Sequence, residues 1–242
     1  MRLSRQGQEI LMRFAGLAML VVGLGLFSSS LSAAELVVRV EAGQAYRTVG
    51  RFGPLKFEVT PQMAIWLEDE KGHYLESVYV TRSSAKGNWR GLTRVRRPEA
   101  LPVWSHRRGI RAVDGLYMPD AANPLPDTVS GATPAGSSEW RKPLVLKPGR
   151  YVVWLEVNNS FDFNSFYAKG RKRGEPGYCA DNGQPSLVYR ADLNVDSKPV
   201  RVCLEPVGHG HVLGLDGSLQ RDLISLTSAV TILRQVCITY QP

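Results

Sequence analysis

The feature that most constrains the fold is the alternation of short β-branched and aromatic runs with turns rich in Gly, Pro, Asn and Asp. Runs of this length and spacing are typical of antiparallel sheets, whereas helical periodicity is scarce. The sequence therefore predicts a mainly β antiparallel sandwich with a long irregular insertion. The expected strands are residues 35–40, 55–60, 63–68, 74–81, 144–146, 151–158, 186–193, 200–204 and 231–240.

The segment Lys147–Asn158 shows the local pattern most clearly. Pro148 and Gly149 make a turn, and apolar residues then occupy alternate positions, so one face of the strand can lie in the core while the other is partly covered. Tyr151 directly follows the turn, a position from which a tyrosine hydroxyl commonly braces the corner of a sandwich.

Two connections are also predictable. The runs 63–68 and 74–81 are joined by residues 69–73, whose charges and glycine favour a hairpin turn. Residues 219–233 combine leucines at helical spacing with β-branched residues, and they predict a short helical turn that leads into the last strand.

The N-terminal segment has a different pattern. Three arginines precede Phe14–Phe27, an uncharged apolar run of 14 residues, and small residues follow it. A membrane-spanning helix needs roughly 20 apolar residues, so this shorter run predicts a cleaved secretory signal peptide over residues 1–33. An uncleaved N-terminal anchor is the alternative interpretation. We expect residues 34–242 to form a single periplasmic domain.

The charge balance narrows the class of partner. The chain has 30 Lys and Arg against 22 Asp and Glu, a net charge of +8, and its 43% hydrophobic content excludes disorder as the main state. Because we expect export, nucleic acid is not an expected partner. An acidic periplasmic protein or an anionic membrane surface is the expected counterpart.

Three cysteines remain in a compartment where disulfides persist. Cys203 and Cys237 lie in strand-like runs, whereas Cys179 lies in a turn-rich loop. The simplest expectation is one disulfide and one free thiol, and the sequence alone leaves all three pairings open.

A long basic region, residues 83–142, interrupts the strand pattern. Seven arginines lie within 22 residues and are interleaved with Trp89 and Trp104, a composition that can bind carboxylates or phosphates and stack on rings. A solvated basic loop is the alternative interpretation. The candidate partner-binding residues are Arg94, Arg96, Arg97, Trp104, Arg107 and Arg108.

The letters SGAT at residues 130–133 resemble the motif of exported flavoproteins in which a flavin transferase esterifies the FMN phosphate onto the last threonine. The resemblance implies an electron carrier with FMN on Thr133, and Ser130 and Gly131 would form the recognition context. Pro134 stands where those proteins usually carry a further Ser or Thr.

Six motifs follow one another in the chain: Trp104–Gly109, Val129–Pro134, Gly149–Tyr151, Glu156–Asp162, Asn182–Ser186 and Leu226–Ala229. Their order resembles a family of predicted periplasmic proteins of unknown function, across about residues 55–240. The family resembles immunoglobulin or fibronectin type III sandwiches, and several members are encoded near flavin transferases and PepSY-type membrane proteins. The resemblance implies an accessory protein of a flavin- or metal-linked redox system, with a PepSY-type protein as partner.

His209 and His211 are separated by one glycine and could bind copper or zinc if Asp216, His106, His73 or a free cysteine supplied a third ligand. Hydrogen-bonding loop histidines are the alternative interpretation. The chain lacks the common nucleophile-elbow, zinc-protease and nucleotide-binding motifs. We therefore predict a non-catalytic, exported accessory or partner-binding protein, with the flavoprotein and the metal binder as alternatives.

Overall fold

Two sheets form the body of the protein in a computed structural model that describes residues 33–52, 54–89, 95–126 and 129–242. One sheet has four strands in the order β10-β12-β1-β7, and the other has six in the order β11-β9-β8-β4-β5-β6. A separate hairpin joins β2 to β3. The strands are β1 Glu35–Ala42, β2 Thr48–Phe52, β3 Leu55–Val59, β4 Gln62–Asp69, β5 Tyr74–Thr81, β6 Ser130–Gly131, β7 Ser138–Pro143, β8 Gly149–Asn158, β9 Leu187–Val195, β10 Val200–Cys203, β11 Glu205–His209 and β12 Leu233–Gln241.

The pairing is antiparallel except for the two-residue strand β6, which runs parallel to the end of β5. Two short helices follow β5 in sequence, α1 over Arg82–Lys86 and α2 over Pro102–Arg108. A 3₁₀ turn at Ser228–Thr231 precedes β12. The mainly β antiparallel sandwich with a long insertion is thus confirmed, whereas the immunoglobulin or fibronectin type III assignment stays a prediction.

Most of the predicted elements are present. Every predicted strand except residues 144–146 overlaps an observed one, β4 and β5 form the expected hairpin, and the helical turn lies directly before the last strand. The Tyr151 hydroxyl donates to the Lys147 carbonyl at 2.9 Å, which is the expected corner brace. Residues 144–146 are not a strand because β7, which pairs with β1, ends at Pro143.

The sandwich encloses one core between its sheets, which we call the inner core. It includes Leu36 and Ile238 from the four-stranded sheet and Leu67 and Leu155 from the six-stranded sheet, all fully buried. Alternate residues of β4 and β8 face this core, as the two-residue period of a strand requires.

The opposite face of the six-stranded sheet is also covered. Trp66, Trp154 and Val188 on that face pack with Val103 and Trp104 of α2, and we call this cluster the outer core. The insertion between β5 and β6 covers residues 82–129, and its described residues, 82–89, 95–126 and 129, therefore form a third layer. It is not irregular throughout, because it contains both helices, and it is shorter than the expected region 83–142, because β6 and β7 belong to the sheets.

Cys203 and Cys237 form a disulfide between directly opposed residues of β10 and β12, and Cys179 is a buried free thiol. This matches the expected count of one bond and one thiol. Residues 34–242 form one compact unit, and residues 1–32 of the predicted signal peptide lie outside the described residues. Within the described ranges, no helix is both long and apolar enough to cross a membrane.

Candidate functional sites on the insertion and at the loop end

The buried carboxylate of Glu156 on β8 anchors the start of helix α2. Its Oε2 accepts a hydrogen bond from the Trp104 amide at 2.8 Å, and its Oε1 accepts from the Val103 amide at 3.2 Å and the Ser186 hydroxyl at 2.6 Å. The two amides lie in the first turn of α2, where a helix leaves its N–H groups without internal partners. Burial raises the pKa of Glu156 to about 7, against the opposing effect of these hydrogen bonds. Glu156 therefore fixes where α2 begins on the sheet.

A second buried carboxylate, that of Glu68 on β4, holds the last turn of α2. Arg107 Nη1 donates to Glu68 Oε2 at 3.3 Å, and the Trp66 indole N–H donates to Glu68 Oε1 at 2.9 Å. The Arg107 guanidinium lies 5.6 Å from the centre of the Trp154 ring, which is stacked on Trp66 with centroids 5.9 Å apart. The helix is thus tied to the sheet at both ends.

Several predicted partner-binding arginines contact the protein itself. Arg96 forms an ion pair with Asp114 at 2.6 Å, and Arg97 forms one with Glu99 at 2.8 Å. Arg94 lies outside the described residues. These arginines therefore stabilise the fold of the insertion through ion pairs. A freely solvated basic loop would not form such pairs.

Trp104 lies in the interior, with 1% of its surface exposed, and its indole N–H donates to the Ser77 hydroxyl at 2.9 Å. Arg108 lies over the Trp104 ring at 5.9 Å, and burial lowers the pKa of Arg108. The structure therefore places Trp104 in the outer core, where a partner could not stack on it. Arg107 remains exposed at the surface of the helix.

The end of α2 and the turn after it carry exposed apolar and basic side chains together. Ile110 is 46% exposed and Val113 is fully exposed, and Arg107 and Arg111 are exposed beside them in the chain. The Arg111 guanidinium lies 5.0 Å from the centre of the Tyr117 ring. We call Arg107, Ile110, Arg111 and Val113 the α2 surface. Arginine beside exposed apolar groups is characteristic of the central part of protein interfaces.

A pocket of about 460 Å³ lies where residues 95–99 of the insertion meet the loops after β8, and we call it the loop-end pocket. Phe161 and Ala180, which both line it, are the two non-glycine residues with positive φ in the described part of the chain, at 63° and 48°. Such backbone conformations cost about 1 to 3 kcal/mol each and persist only where the surrounding structure enforces them.

A buried polar network lies next to Phe161. Asp162 accepts hydrogen bonds from the Ser228 hydroxyl at 2.5 Å and from the Gln184 side-chain amide at 2.9 Å, and Gln184 accepts one from the Thr227 amide at 2.6 Å. Burial raises the pKa of Asp162. The network joins three of the motifs identified in the sequence, which are far apart along the chain.

The backbone around this network is closely packed. The Phe161 amide donates to the Asn182 carbonyl at 2.6 Å, and Gly183 pairs with Asp162 as an isolated bridge. Gly183 has a φ of +91°, and a Cβ atom there would lie 2.4 Å from the Asp162 carbonyl oxygen. Only glycine allows the backbone at residue 183 to lie this close to Asp162. This close packing holds the neighbouring Phe161 in its positive-φ conformation.

The SGAT segment lies at the edge of the six-stranded sheet. Ser130 and Gly131 form β6, and the Tyr79 hydroxyl donates to the carbonyl before Thr133 at 2.8 Å, while the Tyr46 hydroxyl donates to the carbonyl after it at 3.1 Å. Thr133 is half-buried, and its hydroxyl makes no hydrogen bond within the described residues. The segment is therefore held by its backbone, and the threonine side chain is left unengaged.

The two histidines at the end of β11 have partners within the chain. His209 is 4% exposed and its Nδ1 lies 2.8 Å from the Gly210 carbonyl oxygen, while His211 Nδ1 accepts from the Leu213 amide at 3.1 Å. In the part of the chain that the structure describes, no group of three or more His, Cys, Asp and Glu residues is arranged to hold a metal ion. Copper or zinc binding stays a prediction without a third ligand.

Sequence reasoning missed the two anchoring carboxylates, Glu68 and Glu156. Glu156 is an isolated acidic residue in an apolar strand, which was an available signal because a charge is rarely buried without a partner. Glu68 begins the acidic run Glu68–Glu70 at the end of its strand and gave no such signal. Helix α2 also had a signal in Pro102 at its first position and Gly109 directly after its end.

Comparisons of the chain with known protein families, with curated proteins and with solved structures find no match. The resemblance to a family of periplasmic proteins therefore stays a prediction that depends on the six motifs.

Proposed function

We propose that the protein is an exported, non-catalytic binding protein that docks an acidic protein through the α2 surface. The observation that carries this proposal is the exposure of Ile110, Arg111 and Val113 directly after Arg107, in the turn that follows a helix fixed at both ends. A surface that is already ordered loses little conformational freedom on binding, and this favours affinity.

The charge of the insertion supports an acidic partner. Residues 82–129 contain nine Lys and Arg against four Asp and Glu, a net charge of +5 out of +8 for the whole chain. A concentrated positive field accelerates association with a negative surface and disfavours partners of the same sign. A PepSY-type membrane protein with an acidic extracytoplasmic face is a partner of this kind that the family resemblance suggests.

Two features support export. The predicted signal peptide directs the chain out of the cytoplasm, and the Cys203–Cys237 disulfide is of a kind that persists in oxidising compartments. Intact mass of protein purified from the periplasm is expected to lack about residues 1–33. A retained N-terminus on cytoplasmic protein would contradict this part of the proposal.

Site-specific photocrosslinking in the periplasm tests the docking surface. A photoreactive amino acid at Val113 is expected to crosslink to one acidic protein, and Arg111→Glu is expected to abolish the crosslink. The matched control position is Val145, which is 83% exposed and lies outside the insertion. Arg201→Glu on β10 is the matched charge control. Arg107 is left intact, because its reversal would place a second carboxylate beside buried Glu68.

Two outcomes would contradict the proposal. The first is equal crosslinking from Val113 and Val145, or none from either position, with circular dichroism showing a folded protein. The second is association with anionic phosphatidylglycerol vesicles that Arg111→Glu abolishes, without a protein crosslink, because this would identify a membrane surface as the binding partner.

A specific observation also favours the flavoprotein alternative. The half-buried Thr133 hydroxyl has no hydrogen bond within the described ranges and lies on a backbone segment held by Tyr46 and Tyr79. An accessible hydroxyl on an ordered turn fits phosphoester attachment of FMN, which would supply redox chemistry when bound. Co-expression with a flavin transferase should add FMN mass to the peptide containing Thr133, but not in Thr133→Val. An unmodified peptide would end this alternative.

A further inference from the structure

We propose that the loop-end pocket is a binding site for a small monocarboxylate with an aromatic or aliphatic body. The pocket is separate from the α2 surface in the proposed function, so the two proposals can fail independently. Its volume of about 460 Å³ falls within the range of small-molecule sites, roughly 300 to 1,000 Å³.

The walls of the pocket supply the apolar contacts. Phe161, Phe163 and Leu213 line it, and Val95, which is 39% exposed, lines it from the insertion. Apolar walls with a few polar groups are the usual composition of a site for an organic ligand. An aromatic or branched aliphatic body would remove these side chains from water.

Arg97 supplies a fixed cation. Its guanidinium lies 5.4 Å from the ring centres of both Trp89 and Phe161, and its side chain is 12% exposed. Nε donates to Glu99 and Nη2 donates to Asn182, whereas Nη1 makes no hydrogen bond within the described part of the chain. The guanidinium therefore retains a donor for a carboxylate oxygen, and it is already oriented before a ligand binds.

Of the other charged residues that line the pocket, Arg96 pairs with Asp114 and Glu99 pairs with Arg97, so two charges remain to select the charge of the ligand. Lys169 and Asp181 line it, both are exposed, and neither forms an ion pair within the described residues. Lys169 attracts a carboxylate, whereas Asp181 repels a second negative charge. The pocket therefore fits a monoanion better than a dianion or a neutral molecule.

The backbone that forms the pocket is held rigidly. Phe161 and Ala180 adopt positive φ values on its wall, and the buried Asp162–Gln184–Ser228 hydrogen bonds enforce the conformation of Phe161. Such strain, maintained by a fully bonded buried network, is found most often where a site must be formed before the ligand arrives.

Titration of the full chain with 3-phenylpropionate, followed by calorimetry and NMR, tests the proposal. Saturable binding is expected with a dissociation constant of about 1 mM or below, in keeping with the size of the ligand. The uncharged 3-phenylpropan-1-ol is expected to bind about tenfold more weakly, because charged hydrogen bonds are lost. The dianion phenylsuccinate is also expected to bind more weakly than the monoanion.

Three variants separate a binding role from a structural one. Lys169→Gln is expected to weaken binding about fivefold and Asp181→Asn to strengthen it about twofold, because a single exposed charge contributes modestly. Lys172→Gln is the matched control in the same loop and should change nothing, since Lys172 does not line the pocket.

Opposite effects of the Lys169 and Asp181 variants would not arise from general destabilisation. Equal binding of the carboxylate and the alcohol would overturn the proposal, as would the absence of saturable binding to a protein that circular dichroism shows to be folded. Equal effects of Lys169→Gln and Lys172→Gln would also overturn it, because they would indicate nonspecific charge attraction.

Discussion

The two faces of the six-stranded sheet are both buried, but different chemistry covers them. The inner core packs Leu67 and Leu155 against apolar side chains of the other sheet. The outer core adds buried Glu68 and Glu156 to its tryptophans and binds a helical insertion through them. Apolar side chains dominate the inner face, whereas the outer face adds directed hydrogen bonds to its apolar contacts.

The difference shows what each kind of contact achieves. Apolar burial stabilises the sandwich but has no direction, since it is roughly proportional to the area removed from water. A buried carboxylate adds little net stability, yet it is strongly unfavourable when its partners are lost. Glu156 and Glu68 therefore determine where the insertion sits, and the inner core supplies most of the stability.

The largest expected effect is in the inner core. Leu155→Ala removes a fully buried side chain between the sheets and is expected to cost about 4 kcal/mol of unfolding free energy, because transfer and cavity terms add. Urea denaturation measures this as a lower midpoint with an unchanged slope. A loss below about 1 kcal/mol would contradict the assignment of this face as the main source of stability.

The outer core is expected to respond to pH. Burial raises the pKa of Glu156 to about 7 from an ordinary 4.5, so the folded chain binds this proton more tightly than the unfolded chain does. Protonated Glu156 therefore contributes to the free energy of unfolding below pH 4.5, and this contribution, on the order of 3 kcal/mol, is lost as the pH rises through 7.

The variant Glu156→Gln, which does not titrate, isolates this effect. Wild-type stability is expected to fall between pH 4.5 and 7 relative to the variant, as measured by denaturation at each pH. Parallel pH profiles for the two proteins would show that Glu156 keeps the same pKa in both states. Proteolysis of the insertion should follow the same profile, whereas cleavage elsewhere should not.

A smaller effect distinguishes two arginines that contact the same ring. Arg107 and Arg190 lie 5.6 and 5.7 Å from the centre of the Trp154 ring, but Arg107 pairs with buried Glu68 and Arg190 with exposed Asp192. Arg107→Ala is expected to cost about 2 kcal/mol and Arg190→Ala about 0.5 kcal/mol, because only the first leaves a buried carboxylate without its cation. Equal costs in chemical denaturation would contradict the anchoring role of Glu68.

The smallest expected effects concern two tyrosine hydroxyls that hold the turn before β8. The Leu146 amide donates to the hydroxyl of buried Tyr240, whereas half-buried Tyr151 donates to the Lys147 carbonyl. Tyr240→Phe is expected to cost about 1.5 kcal/mol and Tyr151→Phe about 0.5 kcal/mol, since only the buried group leaves a shielded amide unpaired. The reverse order in thermal unfolding would show that Tyr151 is the principal brace.

Most strands of the inner core could be predicted because they are runs of β-branched and aromatic residues bounded by turn residues. Strand β7 was missed because its sequence, SEWRKP, is held at the surface by ion pairs such as Arg141 with Glu35, and it has no apolar run. Strand β11 contains a proline and a glycine, which normally indicate a turn.

The candidate sites were harder to predict than the strands. The arginines of the insertion were identified, but their ion pairs were not: Glu99 lies two residues from Arg97, whereas Asp114 is brought to Arg96 from 18 residues away by the fold. The loop-end pocket combines segments near residues 97, 161, 169 and 181, and local sequence patterns do not predict contacts between segments this far apart. Helix α2 has seven residues, too few for a periodic signal, and its anchor Glu156 lies about 50 residues away.

The pairing of the first and last strands has a practical consequence for engineering. Glu35 is opposite Gln241 in the β1–β12 ladder, so the two ends of residues 35–241 emerge side by side, about 5 Å apart across neighbouring strands. A short linker could join them without disturbing any strand, and new termini could be opened in the exposed loop at residues 170–174. Reporters fused at Glu35 and at Gln241 would lie side by side at the same edge of the four-stranded sheet.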